Sequence, residues 1–384
     1  MLMTGKSISL YIHIPFCTQK CDYCHFYVLP DKQPLKSLLM EGLRLEWKRL
    51  QGLLEGKKIA SVYFGGGTPY LLGVTFIAEI LSWISSLQTT DEFRSMEITL
   101  EANPENIEQN SLREYHSIGI NRLSIGIQSL DDRHLLTLSR RHSAQKGIQA
   151  VENAFNVGFS NISIDLMYDL PGQNFESWKR TVERATSLPI THLSLYNLTI
   201  EPHTVFFKYR EALSKQLPDD EISKTMYELA CEKFEKVGLK QYEISAFAKD
   251  GLIARHNTGY WTGRPFLGLG PSAFSYWEGS RFRNIANLSK YLRQLQEGTS
   301  PVDFSEELSQ EAGMRELLAI NLRLLDGVNI SAFEQQNGLL SPESKEVLMQ
   351  LEKEGYLQNS TNEVWMLSRQ GILFYDTVAS EIVL

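Results

Sequence analysis

Cysteine is scarce in this chain, with four in 384 residues. Three lie close together and Cys231 is isolated, so they do not make the paired set of a secreted disulfide scaffold. No apolar run reaches the roughly 18 residues that a membrane-spanning helix needs, so we expect no integral membrane segment. The amino-terminal stretch also lacks the apolar core of a signal peptide. These absences favour a protein of a reducing cytoplasm.

Positive charge is in short supply as well. The formal net charge is −8, which gives no chain-wide basic field for binding nucleic acid, so we expect no nucleic-acid partner. Internal repeats and low-complexity tracts are absent from the sequence. Charged residues make up 22% and hydrophobic residues 42%, the balance of an ordinary globular protein with a large core.

Apolar runs alternate with amphipathic stretches along the first 240 residues, which predicts strands alternating with helices. The predicted strands are 7–16, 58–67, 96–104, 122–130, 161–172 and 192–202. The predicted helices are 35–54, 74–87, 110–119, 144–158, 176–188 and 220–239. Six such units indicate an α/β fold with a parallel sheet, arranged as a partial (β/α)6 barrel.

The last eighty or so residues have a different pattern. Helices are predicted at 305–325, 330–338 and 341–357, followed by a hairpin at 358–368 and a final helix at 369–383. This order suggests a mostly helical, winged-helix-like domain. We therefore divide the chain into a barrel (1–240), a connecting extension (241–300) and a carboxy-terminal domain (301–384). Its many glutamates favour packing or partner docking over nucleic-acid binding.

The motif C-x3-C-x2-C, formed by Cys17, Cys21 and Cys24, follows the first predicted strand. In such folds reactive groups collect in loops beyond the carboxyl ends of the strands. The triplet could bind zinc with His13 or His25, act as a redox dithiol, or bind an iron–sulfur cluster. Spacing alone leaves zinc a serious rival. Three thiolates would leave one iron of a [4Fe–4S] cluster open to another ligand.

The triplet and its position resemble the radical S-adenosylmethionine (SAM) superfamily. This resemblance implies a radical SAM barrel in which Cys17, Cys21 and Cys24 bind a [4Fe–4S] cluster whose open iron is chelated by SAM. In that superfamily the reduced cluster passes an electron to the sulfonium, which produces a 5′-deoxyadenosyl radical. Tyr23 corresponds to an aromatic residue near the adenine.

Further motifs narrow the resemblance to the coproporphyrinogen III oxidase-like branch. They are "YIHIPFC", "FGGGTP", "EANPE", "RLSIGIQS", "IDLMYDLPGQ" and "SLYNLTIEPHT". The branch implies that a first SAM contacts Tyr11, Gly66, Glu101, Gln128, Arg140 and Asp165. A second SAM, where present, would lie near Gly67 and Thr68. Taken singly, these residues have simpler readings, such as a tight turn for the glycines and a solvated carboxylate for Glu101.

Two functional classes share this branch: an oxidase that decarboxylates coproporphyrinogen III, and a HemW-type heme chaperone. The oxidase pattern has a further cysteine where this chain has Phe26, and an amino-terminal extension where this chain has sixteen residues before Cys17. The motif "HNTGYW" (256–261) matches the chaperone group. We therefore expect a chaperone that binds heme and hands it to an acceptor protein of unknown identity, and the oxidase is the alternative.

Within that expectation, His256 is predicted to contact the heme, because neutral imidazole is a good axial ligand for heme iron. The simpler reading is a histidine that forms hydrogen bonds at a domain junction. Four other histidines remain alternatives as heme contacts: His13, His25, His142 and His203.

Overall fold

A computed structural model describes residues 7–360 and 364–384 of the chain. Its centre is a mixed sheet of twelve strands in the order β12-β11-β10-β9-β1-β2-β3-β4-β5-β6-β8-β7. In chain order these are β1 Ser7–Ile14, β2 Lys58–Gly66, β3 Glu97–Ala102, β4 Arg122–Gln128, β5 Ile162–Tyr168, β6 His192–Asn197, β7 Lys240–Glu243, β8 Ala246–Ala248, β9 Phe266–Leu269, β10 Phe274–Trp277, β11 Ser280–Asn284 and β12 Val302–Glu307.

Strands β1 to β6 are neighbours in chain order and run parallel. The helices between them are α1 Gln33–Leu54, α2 Val74–Ser85, α3 Gln109–Ser117, α4 Ala144–Val157 and α5 Phe175–Thr186, and α6 Asp220–Lys236 follows β6. Shorter helices are Thr90–Ser95, Asp132–Thr137, Val205–Lys208 and Arg210–Ser214. The sheet ends at β12 and β7 without closing within the described residues. The predicted partial (β/α)6 barrel is thus confirmed.

The local sequence explains these elements. Strand β4, "RLSIGIQ", is buried along nearly its whole length, as expected for a parallel strand covered on both faces. Helix α4 begins where the Ser143 side chain accepts a hydrogen bond from the Lys146 amide, and it ends at Gly158 with φ of 106°. The strand carboxyl ends therefore meet at one edge, where the connecting loops project.

Residues after α6 widen the sheet on both sides. Strands β8 and β7 extend it beyond β6, and β9 to β12 extend it beyond β1. Strand β12 follows residue 301, where the carboxy-terminal domain was predicted to begin, and its last three residues overlap the start of the predicted helix 305–325, which begins instead at Gln310. Arg281 and Arg283 of β11 pair with Glu306 and Asp303 of β12 across the strands.

A buried carboxylate ties this extension to the barrel. Glu46 of α1 accepts hydrogen bonds from the Gly270 amide at 2.7 Å, Asn284 Nδ2 at 2.6 Å and Tyr291 Oη at 2.6 Å. Tyr291 belongs to α8, Leu288–Gln296, and α7, Arg255–Trp261, precedes β9. Burial raises the pKa of Glu46 to about 7 against the opposing effect of these hydrogen bonds.

The carboxy-terminal unit has a core of its own. Its helices are α9 Gln310–Asn321, α10 Ile330–Asn337, α11 Pro342–Lys353, α12 Arg369–Leu373 and α13 Tyr375–Val383, and its antiparallel strands are β13 Val328–Asn329, β14 Leu357–Asn359 and β15 Val364–Leu367. The helices and hairpin follow the predicted order, but the final helix is broken at Phe374. The hairpin turn, 361–363, and residues 1–6, which contributed to the signal-peptide argument, lie outside the described residues. No described helix is long and apolar enough to span a bilayer.

Candidate functional site

Loops at the carboxyl ends of the parallel strands surround a polar cavity of about 430 Å³, which we call the polar chamber. Most residues singled out from the sequence line it: Cys17, Cys21, Tyr23, Cys24, Gly66, Gly67, Glu101, Gln128, Arg140 and Asp165. The structure therefore brings together the cysteine triplet and the residues of four different strand ends. Asn103, Ser124, Gly126 and Tyr196 also line the chamber, although sequence reasoning did not select them.

The cysteine loop is held at both ends. Phe16–Cys17 pairs with Leu29–Pro30, which closes the loop at its base. At its tip, the Phe206 amide donates to the carbonyl of Asp22 at 3.0 Å, and Ser139 Oγ donates to the Asp22 carboxylate at 2.6 Å. The loop is thus fixed to the loops that follow β4 and β6, so the three thiols face the chamber from a defined position.

The three thiols are free, and their setting fits a metal cluster. Burial raises the pKa of Cys17 to about 11 and also raises the pKa of Cys24, so both are neutral thiols until a metal replaces the proton. Among the residues that the structure describes, no three His, Cys, Asp or Glu side chains converge on a single metal ion. A cluster differs from a zinc site in this respect, because each thiolate binds a separate iron.

The glycine loop after β2 comes too close to β1 for side chains. A Cβ on Gly66, whose φ is 112°, would lie 2.6 Å from the His13 ring, and one on Gly67 would lie 2.7 Å from the Phe16 carbonyl oxygen. Thr68 follows, but it is buried away from the chamber. Its Oγ1 lies 3.6 Å from Cys17 Sγ and accepts from Asn103 Nδ2 at 2.9 Å. Thr68 therefore contacts Cys17 and Asn103 without lining the polar chamber itself.

Two carboxylates face the chamber from β3 and β5. Glu101 accepts from Tyr63 Oη at 2.7 Å and from the Gly66 amide at 3.2 Å. Burial raises its pKa to about 7, and burial likewise raises the pKa of Asp165 to about 6. These groups can accept hydrogen bonds from hydroxyl or amine donors of a ligand.

Arg140 joins several walls of the chamber. Its Nη2 donates to Asn103 Oδ1 at 2.7 Å and to the Gly126 carbonyl at 2.6 Å, and its Nη1 lies 3.6 Å from Cys21 Sγ. Gln128 ends β4 with φ of 64°, an uncommon value for a residue with a side chain. Asn103 lies inside the motif "EANPE", so its place in that motif was the signal available in the sequence.

His256 does not line the chamber, and its geometry does not suit an axial ligand. It is 1% exposed, its Nδ1 lies 3.0 Å from Ser61 Oγ, and its Nε2 lies 2.7 Å from Tyr260 Oη. Burial lowers its pKa to about 3. Both ring nitrogens are engaged in hydrogen bonds, so the geometry favours the simpler reading of a junction histidine, and a direct heme contact of His256 stays a prediction.

A second cavity, of about 600 Å³, lies on the other side of the cysteine loop, and we call it the aromatic chamber. Tyr11 lines this chamber and not the polar one, so it is separated from the other predicted SAM contacts. The walls include Tyr260 and Trp261 of α7, strands β9 to β11, and α9 of the carboxy-terminal unit. His25 and Phe26 line both cavities and form the partition between them.

Comparison with known proteins agrees with this arrangement. The family model of the radical SAM superfamily matches residues 11–185, and that of the HemN C-terminal domain matches residues 308–374. The heme chaperone HemW of Bacillus subtilis is 33% identical over 96% of this chain and 97% of its own length. The chain belongs to the HemW family.

Two further similarities complete the comparison. A mitochondrial radical S-adenosyl methionine domain-containing protein 1 of Danio rerio is 37% identical over 69% of this chain, which spans 59% of that relative. The structure of coproporphyrinogen III oxidase (HemN) from Escherichia coli superimposes with a TM-score of 0.85 at 23% identity, covering 99% of this chain and 91% of that one. The latter confirms the fold. Membership of the radical SAM superfamily implies a [4Fe–4S] cluster and SAM.

Proposed function

We propose that this protein is a cytoplasmic heme chaperone that binds heme and transfers it to an acceptor protein. The observation that carries the proposal is the identity with HemW of Bacillus subtilis, which extends over nearly the full length of both chains. That length includes the cysteine loop, the sheet extension and the carboxy-terminal unit. All the elements that enclose the two chambers are therefore shared with a protein named as a heme chaperone.

The aromatic chamber supports heme binding. Its volume lies within the range of small-molecule pockets, roughly 300–1,000 Å³. Tyr260 and Phe266 pack edge to face at 4.6 Å in its wall, and Trp261 lies beside them. Aromatic side chains of this kind can cover the apolar faces of a macrocycle.

The polar chamber supports the cluster and SAM. Cys17, Cys21 and Cys24 would hold the cluster, and the chamber beside it offers carboxylates at Glu101 and Asp165 for the polar groups of SAM. When bound there, the cluster would supply an electron-transfer centre beside SAM. The protein's own residues anchor the cysteine loop and pack closely around the glycine loop.

Oxidative decarboxylation of coproporphyrinogen III is the competing function. The fold likeness to the oxidase extends over 99% of the chain, but at 23% identity it carries no information on activity. Phe26 stands where the oxidase pattern has a further cysteine, and its side chain is 51% exposed on the partition between the chambers. This residue favours the chaperone.

Heme titration and transfer test the proposal. The protein with its cluster reconstituted anaerobically should develop a Soret band with one heme per chain, and should then pass that heme to apomyoglobin used as a model acceptor. Incubation with coproporphyrinogen III and SAM should yield no protoporphyrinogen IX. Turnover of coproporphyrinogen III without heme binding would reverse the assignment.

A further inference from the structure

We propose that heme binds in the aromatic chamber and that His25 is a ligand of its iron. This inference rests on the proposed heme chaperone function and adds the location of the heme and its coordination. It follows from three observations: which histidines reach a cavity, which of their nitrogens are free, and which charges surround the chamber.

Of the eight histidines in the chain, His13 lines the aromatic chamber and His25 lines both chambers. His13 has both ring nitrogens engaged: Nδ1 lies 3.0 Å from Tyr11 Oη, and Nε2 lies 3.2 Å from the Tyr27 carbonyl oxygen. It is 3% exposed and held between two strands. His13 therefore cannot turn a nitrogen toward a ligand without losing a buried hydrogen bond.

His25 is in the opposite situation. It is exposed, and its ring forms no hydrogen bond to any residue that the structure describes. Its ring centroid lies 4.6 Å from that of Phe26, so the two rings pack against each other on the partition. The imidazole is thus available on the wall of the aromatic chamber, and neutral imidazole is a standard axial ligand of heme iron.

The charges around the aromatic chamber suit a flat ligand with anionic substituents. Arg264, Arg281 and Arg283 line it, and Glu316 is the one lining carboxylate among the described residues. Arg281 pairs with Glu306 and Glu316, and Arg283 pairs with Asp303, but a guanidinium has five N–H donors and these contacts use only some of them. The remaining donors can bind the two propionates of heme.

Two pairs of variants test the inference, with heme absorbance, electron paramagnetic resonance and heme affinity as readouts. His25→Ala should change both heme spectra, because the iron loses an imidazole ligand, and should bind heme roughly tenfold or more weakly, as metal sites do when their coordination is disturbed. Added imidazole should restore the wild-type spectra. His203→Ala, an exposed histidine that lines neither chamber, is the matched control and should behave as the wild type.

The second pair probes the chamber itself. Gly313 lies in α9 on the chamber wall, and a Cβ there meets nothing closer than 3.9 Å, so Gly313→Trp should fold and project into the space that heme would fill. Its heme affinity should fall by a similar factor. Gly52→Trp is the control, because Gly52 lies in helix α1 with no atom within 4 Å of a Cβ. Iron content and cluster absorbance should be unchanged in all four variants.

The outcomes separate this inference from the proposed function. A wild-type protein that binds no heme would refute the chaperone proposal itself. If the wild type binds heme and His25→Ala keeps its spectrum and affinity, the assignment of the iron ligand is wrong. If Gly313→Trp binds heme as the wild type does, the heme lies elsewhere.

Discussion

Replacing Gly66 with alanine should destabilise the protein through two separate effects. Gly66 has φ of 112°, and a left-handed backbone costs a residue with a side chain roughly 1–2 kcal/mol. The new Cβ would also lie 2.6 Å from His13 Cε1 and 2.7 Å from its Nδ1. The ring is held by hydrogen bonds from both nitrogens, so the strain resembles core overpacking, which costs roughly 1–3 kcal/mol. The free energy of unfolding should therefore fall by about 2–5 kcal/mol.

Gly56→Ala separates the two effects. Gly56 has φ of 70°, but no atom lies within 4 Å of its ideal Cβ, so only the backbone cost of about 1–2 kcal/mol applies. Urea titrations followed by circular dichroism, under anaerobic conditions, would compare the midpoints and slopes of both variants with the wild type. If Gly66→Ala loses no more stability than Gly56→Ala, the collision with His13 does not occur. Introducing His13→Ala into the Gly66→Ala background should recover part of the loss, which a double-mutant cycle measures.

Three further predictions concern the cluster, a buried acid and the polar chamber. Alanine at any cysteine of the triplet should abolish cluster absorbance after reconstitution, whereas Cys231→Ala should retain it. Burial raises the pKa of Glu46 to about 7, so its protonated form is favoured in the fold. The free energy of unfolding, measured by urea titration, should thus fall as the pH rises from about 5 through about 7, and Glu46→Gln should show less of this fall. Arg140→Lys keeps the charge but loses the hydrogen bonds of the guanidinium to Asn103 and to the Gly126 carbonyl. Equilibrium dialysis should therefore find roughly tenfold weaker SAM binding. The same change at exposed Arg113 should have no effect on SAM.

Much of the barrel could be predicted from the sequence because its elements carry their own periodicity. Strand β4 reads as a continuous apolar run, and the helices between strands carry an apolar face with capping residues such as Ser143. Parallel strands with helical crossovers then bring their carboxyl ends to one edge. The grouping of Cys17, Glu101 and Arg140 around one cavity follows from that topology.

The remaining features depend on partners that are distant in sequence. The end of strand β12 was placed in a predicted helix, and it lies in the sheet beside β11, whose arginines pair with its acidic residues. His256 could not be placed on a cavity or in the interior from its motif alone. Its role depends on Ser61 and Tyr260, whose hydroxyl groups form hydrogen bonds with its two ring nitrogens. Tyr11, too, lines the aromatic chamber together with residues of β9 to β11, and the sequence did not place those strands beside β1.

The partition explains why a single position in the sequence bears on function. The cysteine loop faces the polar chamber with its three thiols, and its last residues, His25 and Phe26, line both chambers. A cysteine in place of Phe26 would put a further thiol on a wall of the polar chamber and remove an apolar ring from the aromatic one. Phe26 instead extends the apolar surface toward the chamber where we place heme. Position 26, which distinguishes the oxidase pattern from the chaperone pattern, therefore lies between the proposed cluster site and the proposed heme site. A chaperone and an oxidase built on the same fold should differ at such a position.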